Sequence, residues 1–188
     1  MLTGLAFPEA ARRRDPKGSH AYSRVLHAYT GAAGGAGSGS DAAAGEWMLR
    51  FRVLYNQRDA GAEALAPRVM RALLRLYAVH AAVLGAETAA LAGTVDVWLR
   101  GAGDGGAETA AGSIYLHGTG AAREPMELLR QMAHELGHLA LPAVGPLAAP
   151  ESWGNGCLGE TLYLRWLARA PENDGSVVPA ETLSAYVK

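Results

Sequence analysis

One short run of this sequence pairs residue type with a spacing that specifies chemistry: Gln131-Met132-Ala133-His134-Glu135-Leu136-Gly137-His138-Leu139. Histidines four apart on a helix share one face about one turn apart, close enough to hold a single ion. Imidazole suits Zn²⁺, with a nitrogen–metal distance of about 2.0–2.1 Å. Glu135 leaves the helix beside His134, so its carboxylate can reach a water on the metal rather than the metal itself. Zinc lowers the pKa of such a water to about 7, and a neighbouring carboxylate can take its proton and pass it to a leaving amine. Leu128, Leu129, Met132, Leu136 and Leu139 give the same helix apolar surface to bury. Two histidines packed side by side in that surface need hydrogen-bond partners or a metal. Gly137 costs about 1 kcal/mol relative to alanine in mid-helix, which is accounted for if something approaches the backbone closely there.

A catalytic zinc needs a third protein ligand and one open position. The extended spacing H-E-x-x-H-x-x-G-x-x-H fails, because Leu141 and Val144 stand where glycine and histidine would be. The downstream candidates are Glu151, Cys157, Glu160 and Asp174. Glu160 is the best placed, 22 residues after His138 at the start of a helical segment, LGETLYLRWLA. It projects on the side of Tyr163, Leu164 and Leu167, with Leu162 and Trp166 on the neighbouring stripe. A carboxylate on so apolar a helix is costly unless it is paired or bound to metal. The competing role is an acidic residue that stabilises the helix dipole. His117, Tyr163 and Tyr186 are candidate oxyanion or substrate contacts, a role that needs a donor about 3 Å from the developing charge. Asn155 reads as a turn or cap residue, Trp153 and Trp166 as core, and His20, His27 and His80 lack metal-ligand spacing.

These residues must be positioned by elements legible in the pattern. Residues 21–30 and 47–55 alternate as strands, with Trp47, Leu49, Phe51, Val53 and Tyr55 on one face. Between them, 31–45 is a Gly/Ser-rich flexible loop. From Ala62 to Leu84 the period changes to three and four: Leu65, Val69, Leu73, Leu76, Val79 and Val83 mark a long helix that Gly85 closes. A strand at 94–99, a Gly/Ala-rich loop at 101–112 and a strand at 113–118 follow. Pro125 opens the helix of the two histidines, which Pro142 stops near Ala140; a third helix runs from Cys157 to Ala170. Residues 1–20 read as a flexible arm, and 21–188 as one domain. The expected class is α+β: a small mixed sheet backed by a long helix, with two further helices.

Composition narrows the partners. The 188 residues carry a formal net charge of −1, with no basic surplus for nucleic acid or an anionic membrane surface. The single cysteine, Cys157, allows no intrachain disulfide. The N-terminal segment does not read as a signal peptide, and no window reaches about 18 uninterrupted apolar residues, so no membrane span is expected. That combination leaves the compartment unknown, with the cytoplasm favoured.

His134-Glu135-Leu136-Gly137-His138, followed by Gly159-Glu160 on a later helix, resembles the gluzincin branch of the zincin metallopeptidases over residues 94–170. The resemblance implies a zincin-like fold in which His134, His138 and Glu160 bind Zn²⁺ and Glu135 is the general base. It implies hydrolysis of peptide bonds through a metal-bound water. It also implies that 113–118 is an edge strand pairing with an extended peptide, with helix 62–84 behind it. One departure is Leu164, where thermolysin-like members carry an aspartate that orients a ligating histidine. Two alternatives stand beside this expectation. Gly156-Cys157-Leu158 is similar to the cysteine-ligand segment of peptide deformylases, zinc amidohydrolases, but follows the histidines instead of preceding them. The small size of the chain also fits a zincin-like binding module without activity.

Overall fold

The computed structural model describes residues 9–14, 21–31, 47–85, 91, 93–147, 151, 153–171 and 173–188. Its elements are β1 (Glu9–Arg14), β2 (Ala21–Gly31), β3 (Trp47–Tyr55), α1 (Ala62–Leu84), β4 (Val95–Arg100), β5 (Ala107–Ala110), β6 (Ser113–His117), α2 (Pro125–Ala140), α3 (Asn155–Arg169) and α4 (Ala180–Tyr186). One mixed sheet runs in the order β1-β2-β3-β4-β6-β5. β1, β2 and β3 are antiparallel neighbours, β3, β4 and β6 are parallel, and β5 returns antiparallel to β6. The α+β class expected from the pattern is what forms.

Two expectations about the strands are corrected. Glu9–Arg14, inside the expected arm, pairs with β2 as a strand; residues 1–8 and 15–20 lie outside the described residues. The loop at 31–45 also lies outside them, apart from Gly31, which ends β2. The second correction bears on function. The 101–112 segment is not all loop, because Ala107–Ala110 pairs with β6 through a two-residue turn at Ala111 and Gly112. Both turn residues have positive φ, 49° and 72°, the sign that matches the twist of a tight hairpin. Strand β6 (113–117) is therefore interior, and β5 is the edge beside it among the described residues.

The main core lies between the sheet and helices α1, α2 and α3. Phe51, Val53, Val97, Leu99, Ile114 and Leu116 rise from the strands to meet it. Leu65, Val69, Leu73, Leu76 and Val79 of α1 are buried there as the spacing requires, whereas Val83 in the last turn is 49% exposed. Tyr22, Val25, Leu54, Trp98 and Tyr115 form a second cluster. Arg52 and Asp96, directly opposite on β3 and β4, join in a two-pronged pair of 2.5 and 2.8 Å. No described helix is long and apolar enough to cross a membrane.

The contact that positions the site is the crossing of α2 and α3. A Cβ at Gly137 would stand 2.5 Å from the Asn155 carbonyl oxygen and 2.8 Å from the Cα of Gly159. One at Gly159 would stand 2.5 Å from the Cα of Gly137 and 2.9 Å from the Ala133 carbonyl oxygen. Backbone meets backbone, so neither helix can yield to a methyl group. Gly159→Ala is expected to destabilise the fold by about 1–3 kcal/mol, the usual cost of overpacking. Gly93→Ala, where a Cβ meets nothing within 4 Å, should stay within about 0.5 kcal/mol of wild type in the same thermal or denaturant unfolding.

Candidate metal centre

Pro125 occupies the first turn of α2, where its missing N–H costs nothing, and Pro142 follows the end of the helix. Within it, the four-residue spacing brings Nε2 of His134 and Nε2 of His138 to 3.2 Å from each other. Two nitrogens bound to one tetrahedral zinc at about 2.0–2.1 Å stand about 3.3 Å apart, so the imidazole pair already has that separation. A Cβ at Gly156, in the first turn of α3, would stand 2.5 and 2.4 Å from these two nitrogens. The first turn of α3 can lie this close over the imidazoles because residue 156 has no side chain.

Asn155 fixes one of the rings. Its Nδ2 donates to the carbonyl oxygens of His138 and Leu141, both at 3.3 Å, which sets the amide orientation. Its Oδ1 then lies 2.9 Å from Nδ1 of His138. An amide oxygen only accepts, so Nδ1 carries the hydrogen and the lone pair of the neutral ring sits on Nε2. Nδ1 of His134 faces Oε2 of Glu160 at 3.6 Å, while its Nε2 lies 2.6 Å from Oε1 of Glu151. The other oxygen of Glu151 is 3.9 Å from Nε2 of His138. Two imidazole nitrogens and a carboxylate thus converge on one small volume. Electron-pair donors held this close require a proton or a cation between them.

Glu160 is engaged elsewhere. Its Oε2 accepts from the Arg130 guanidinium and its Oε1 from the Tyr186 hydroxyl, each at 3.0 Å. Arg130 is itself gripped by Glu127 through two bonds of 2.8 and 2.9 Å. That hydrogen bonding holds the Glu127 carboxyl below its ordinary range and the guanidinium above its own.

Glu135, 5% exposed, lies on the side of α2 that meets β5. The Thr109 hydroxyl donates to it, 2.7 Å from Oε2 and 3.1 Å from the Glu135 carbonyl oxygen. Burial pushes the Glu135 carboxyl above its ordinary pKa, opposed by the Thr109 bond and by the two imidazoles. Cys157 is exposed, with Sγ 3.8 Å from Oε2 of Glu151. Donor atoms of His134, Glu151 and Cys157 lie within 4.8 Å of one another. Burial, Glu151 and Glu160 all raise the pKa of the Cys157 thiol.

Two of the expected substrate contacts are corrected. Tyr163 is fully buried in the core, with its hydroxyl 2.8 Å from Nδ1 of His80. Burial pushes the Tyr163 phenol up and the His80 imidazole down, so both rings stay neutral. His117 follows the alternation of β6: Ile114 and Leu116 face the main core, and His117 falls with Tyr115 on the opposite face. There its Nε2 meets Oε1 of Glu108 at 3.1 Å. Tyr186 alone of the three candidates adjoins the centre, through Glu160. Trp166 packs against the core as expected, but Trp153 is 46% exposed. Asn155, expected to be a turn or cap residue, opens α3 and is also buried against His138; its place in a Pro/Gly-rich stretch gave no sign of that contact.

No family model, curated protein or solved structure matches the chain.

If the Asn155 amide sets the His138 tautomer, Asn155→Ala should weaken zinc binding about 10–100-fold while the protein stays folded. Gly156→Ala should weaken it further, because the methyl would press on both Nε2 atoms. Competition with a chromophoric chelator measures both, and unchanged affinity in the two variants would remove Asn155 and Gly156 from the account.

Proposed function

We propose that this chain is a zinc-dependent peptidase with a zincin-like fold. The observation that supports it most is the pair of Nε2 atoms 3.2 Å apart, one with its tautomer fixed, next to a buried glutamate. His134, His138 and one carboxylate would hold the ion. Bound there, zinc supplies Lewis acidity, polarising a carbonyl and acidifying water.

The side chains supply the rest. Thr109 holds Oε2 of Glu135, leaving Oε1 to accept a proton from the attacking water and deliver it to the leaving amine nitrogen. The edge of β5 at 107–110 is the natural dock for an extended peptide, which adds there as a further strand. Thr109 ties that strand to the base, so a peptide paired with β5 lies one strand spacing, about 4.8 Å, from a residue that touches Glu135.

A second reading, a zinc amidohydrolase of deformylase type, gains support from Cys157 standing within ligand range of His134 and Glu151. Its exposure, and its place after the histidines rather than before them, weigh against it. Assay of the zinc-loaded protein on a broad quenched-peptide library and on formyl-methionyl peptides separates the two. Cleavage of internal peptide bonds is expected, falling at least about 100-fold in Glu135→Gln with zinc retained. A zinc-loaded wild type that cuts neither class would leave a binding module as the better description.

A further inference from the structure

We infer that the third protein ligand of this centre is Glu151, on the segment between α2 and α3, and that Glu160 is a positioning residue acting on His134 through Nδ1. The assignment rests on the zinc reading above. It follows from which side of each ring the two carboxylates occupy. A histidine that binds metal through Nε2 usually donates its Nδ1–H to a carboxylate or carbonyl, which fixes the ring and raises its basicity. Oε2 of Glu160 stands on the Nδ1 side of His134, at 3.6 Å, just as Oδ1 of Asn155 stands on the Nδ1 side of His138, at 2.9 Å. Glu151 stands on the Nε2 side of both rings, at 2.6 and 3.9 Å.

The surroundings of the two carboxylates separate them further. Glu160 accepts from Arg130 on one oxygen and from Tyr186 on the other. A carboxylate bonded to a guanidinium and a phenol is neutralised and held in place, which suits an orienting group and opposes transfer of its charge to a metal. No arginine or lysine pairs with Glu151 among the contacts of the described residues; its neighbours are His134, His138 and the Cys157 thiol. Oriented in this way, the Nε2 atoms and the Glu151 oxygens form a three-donor set of two nitrogens and one carboxylate, and Glu160 and Asn155 form its outer support.

Zinc affinity by chelator competition, together with the visible absorption of the cobalt-substituted protein, tests the assignment. The variants are Glu151→Gln, Glu160→Gln and Cys157→Ser, each checked for folding by circular dichroism. Glu151→Gln is expected to lose at least about 1,000-fold in zinc affinity and to change the cobalt spectrum. Glu160→Gln should lose about 10–100-fold, the range for outer support, and keep the wild-type spectrum. Cys157→Ser should change neither. Glu151→Asp, which keeps the charge, should recover part of the affinity that Glu151→Gln loses. The assignment is overturned if Glu160→Gln or Cys157→Ser alters the cobalt spectrum while Glu151→Gln leaves it intact, and the zinc reading then stands with a different ligand. A folded wild type that binds neither zinc nor cobalt overturns both.

Discussion

Helices α2 and α3 touch through backbone at Gly137 and Gly159, and the arrangement of the centre depends on that contact. Side chains of ordinary size would hold two helices about 8–10 Å apart. Glycine on both sides removes that spacer and lets the first turn of α3 slide over the histidine face of α2. Gly156 then lies over the two Nε2 atoms, Asn155 reaches Nδ1 of His138, and Oε2 of Glu160 stands 3.6 Å from Nδ1 of His134. Three residues of one helix are thereby aimed at two residues of the other. Mid-helix glycine costs stability. The main core, built on Leu129, Met132, Leu136, Tyr163, Leu164 and Leu167, offsets that cost on the same two helices.

Electrostatically the centre is a small volume where donors of electron pairs have been collected and their counter-charges placed outside. Glu151 faces the Nε2 atoms from within, whereas the Glu127–Arg130–Glu160–Tyr186 chain closes the outer side of His134. Glu135 is kept apart from this network, buried and tied to the edge strand by Thr109. One carboxylate is thus turned toward the shared volume, one braces a ring, and one is set against the strand where a peptide would add. This division of labour among three glutamates is what environment, rather than residue type, can produce.

Much of the fold was legible because its signals were periodic. Helix α1 was bounded at Ala62 and Leu84 by its three-and-four spacing and by Gly85, and α2 at Pro125 and Ala140 by its flanking prolines. Strand β3 was legible in its period of two, although Met48 and Leu54 are apolar on the other face. Strand β5 was not, because four residues, Ala-Glu-Thr-Ala, carry no apolar alternation and their turn uses Ala111 where asparagine or glycine is usual. Missing it moved the sheet edge to the wrong strand. In the centre, His134, Glu135 and His138 were fixed by spacing within one helix, which local geometry guarantees. Glu151 and Glu160 were both visible as candidates, but only the crossing of α2 and α3 decides which side of the imidazole each one meets. Tyr163 looked available from its place near Glu160, yet one helical step of three turns it into the core toward His80.

The claim on which all of this turns is that the volume between His134, His138 and Glu151 holds one divalent metal ion. Diffraction from crystals grown with zinc, with anomalous data collected on both sides of the zinc absorption edge, tests it most directly. The expected result is a single anomalous peak about 2.0–2.1 Å from Nε2 of both histidines. A zinc-saturated crystal with no peak there, and with the imidazoles and Glu151 closed on one another as a protonated ion pair, would contradict it.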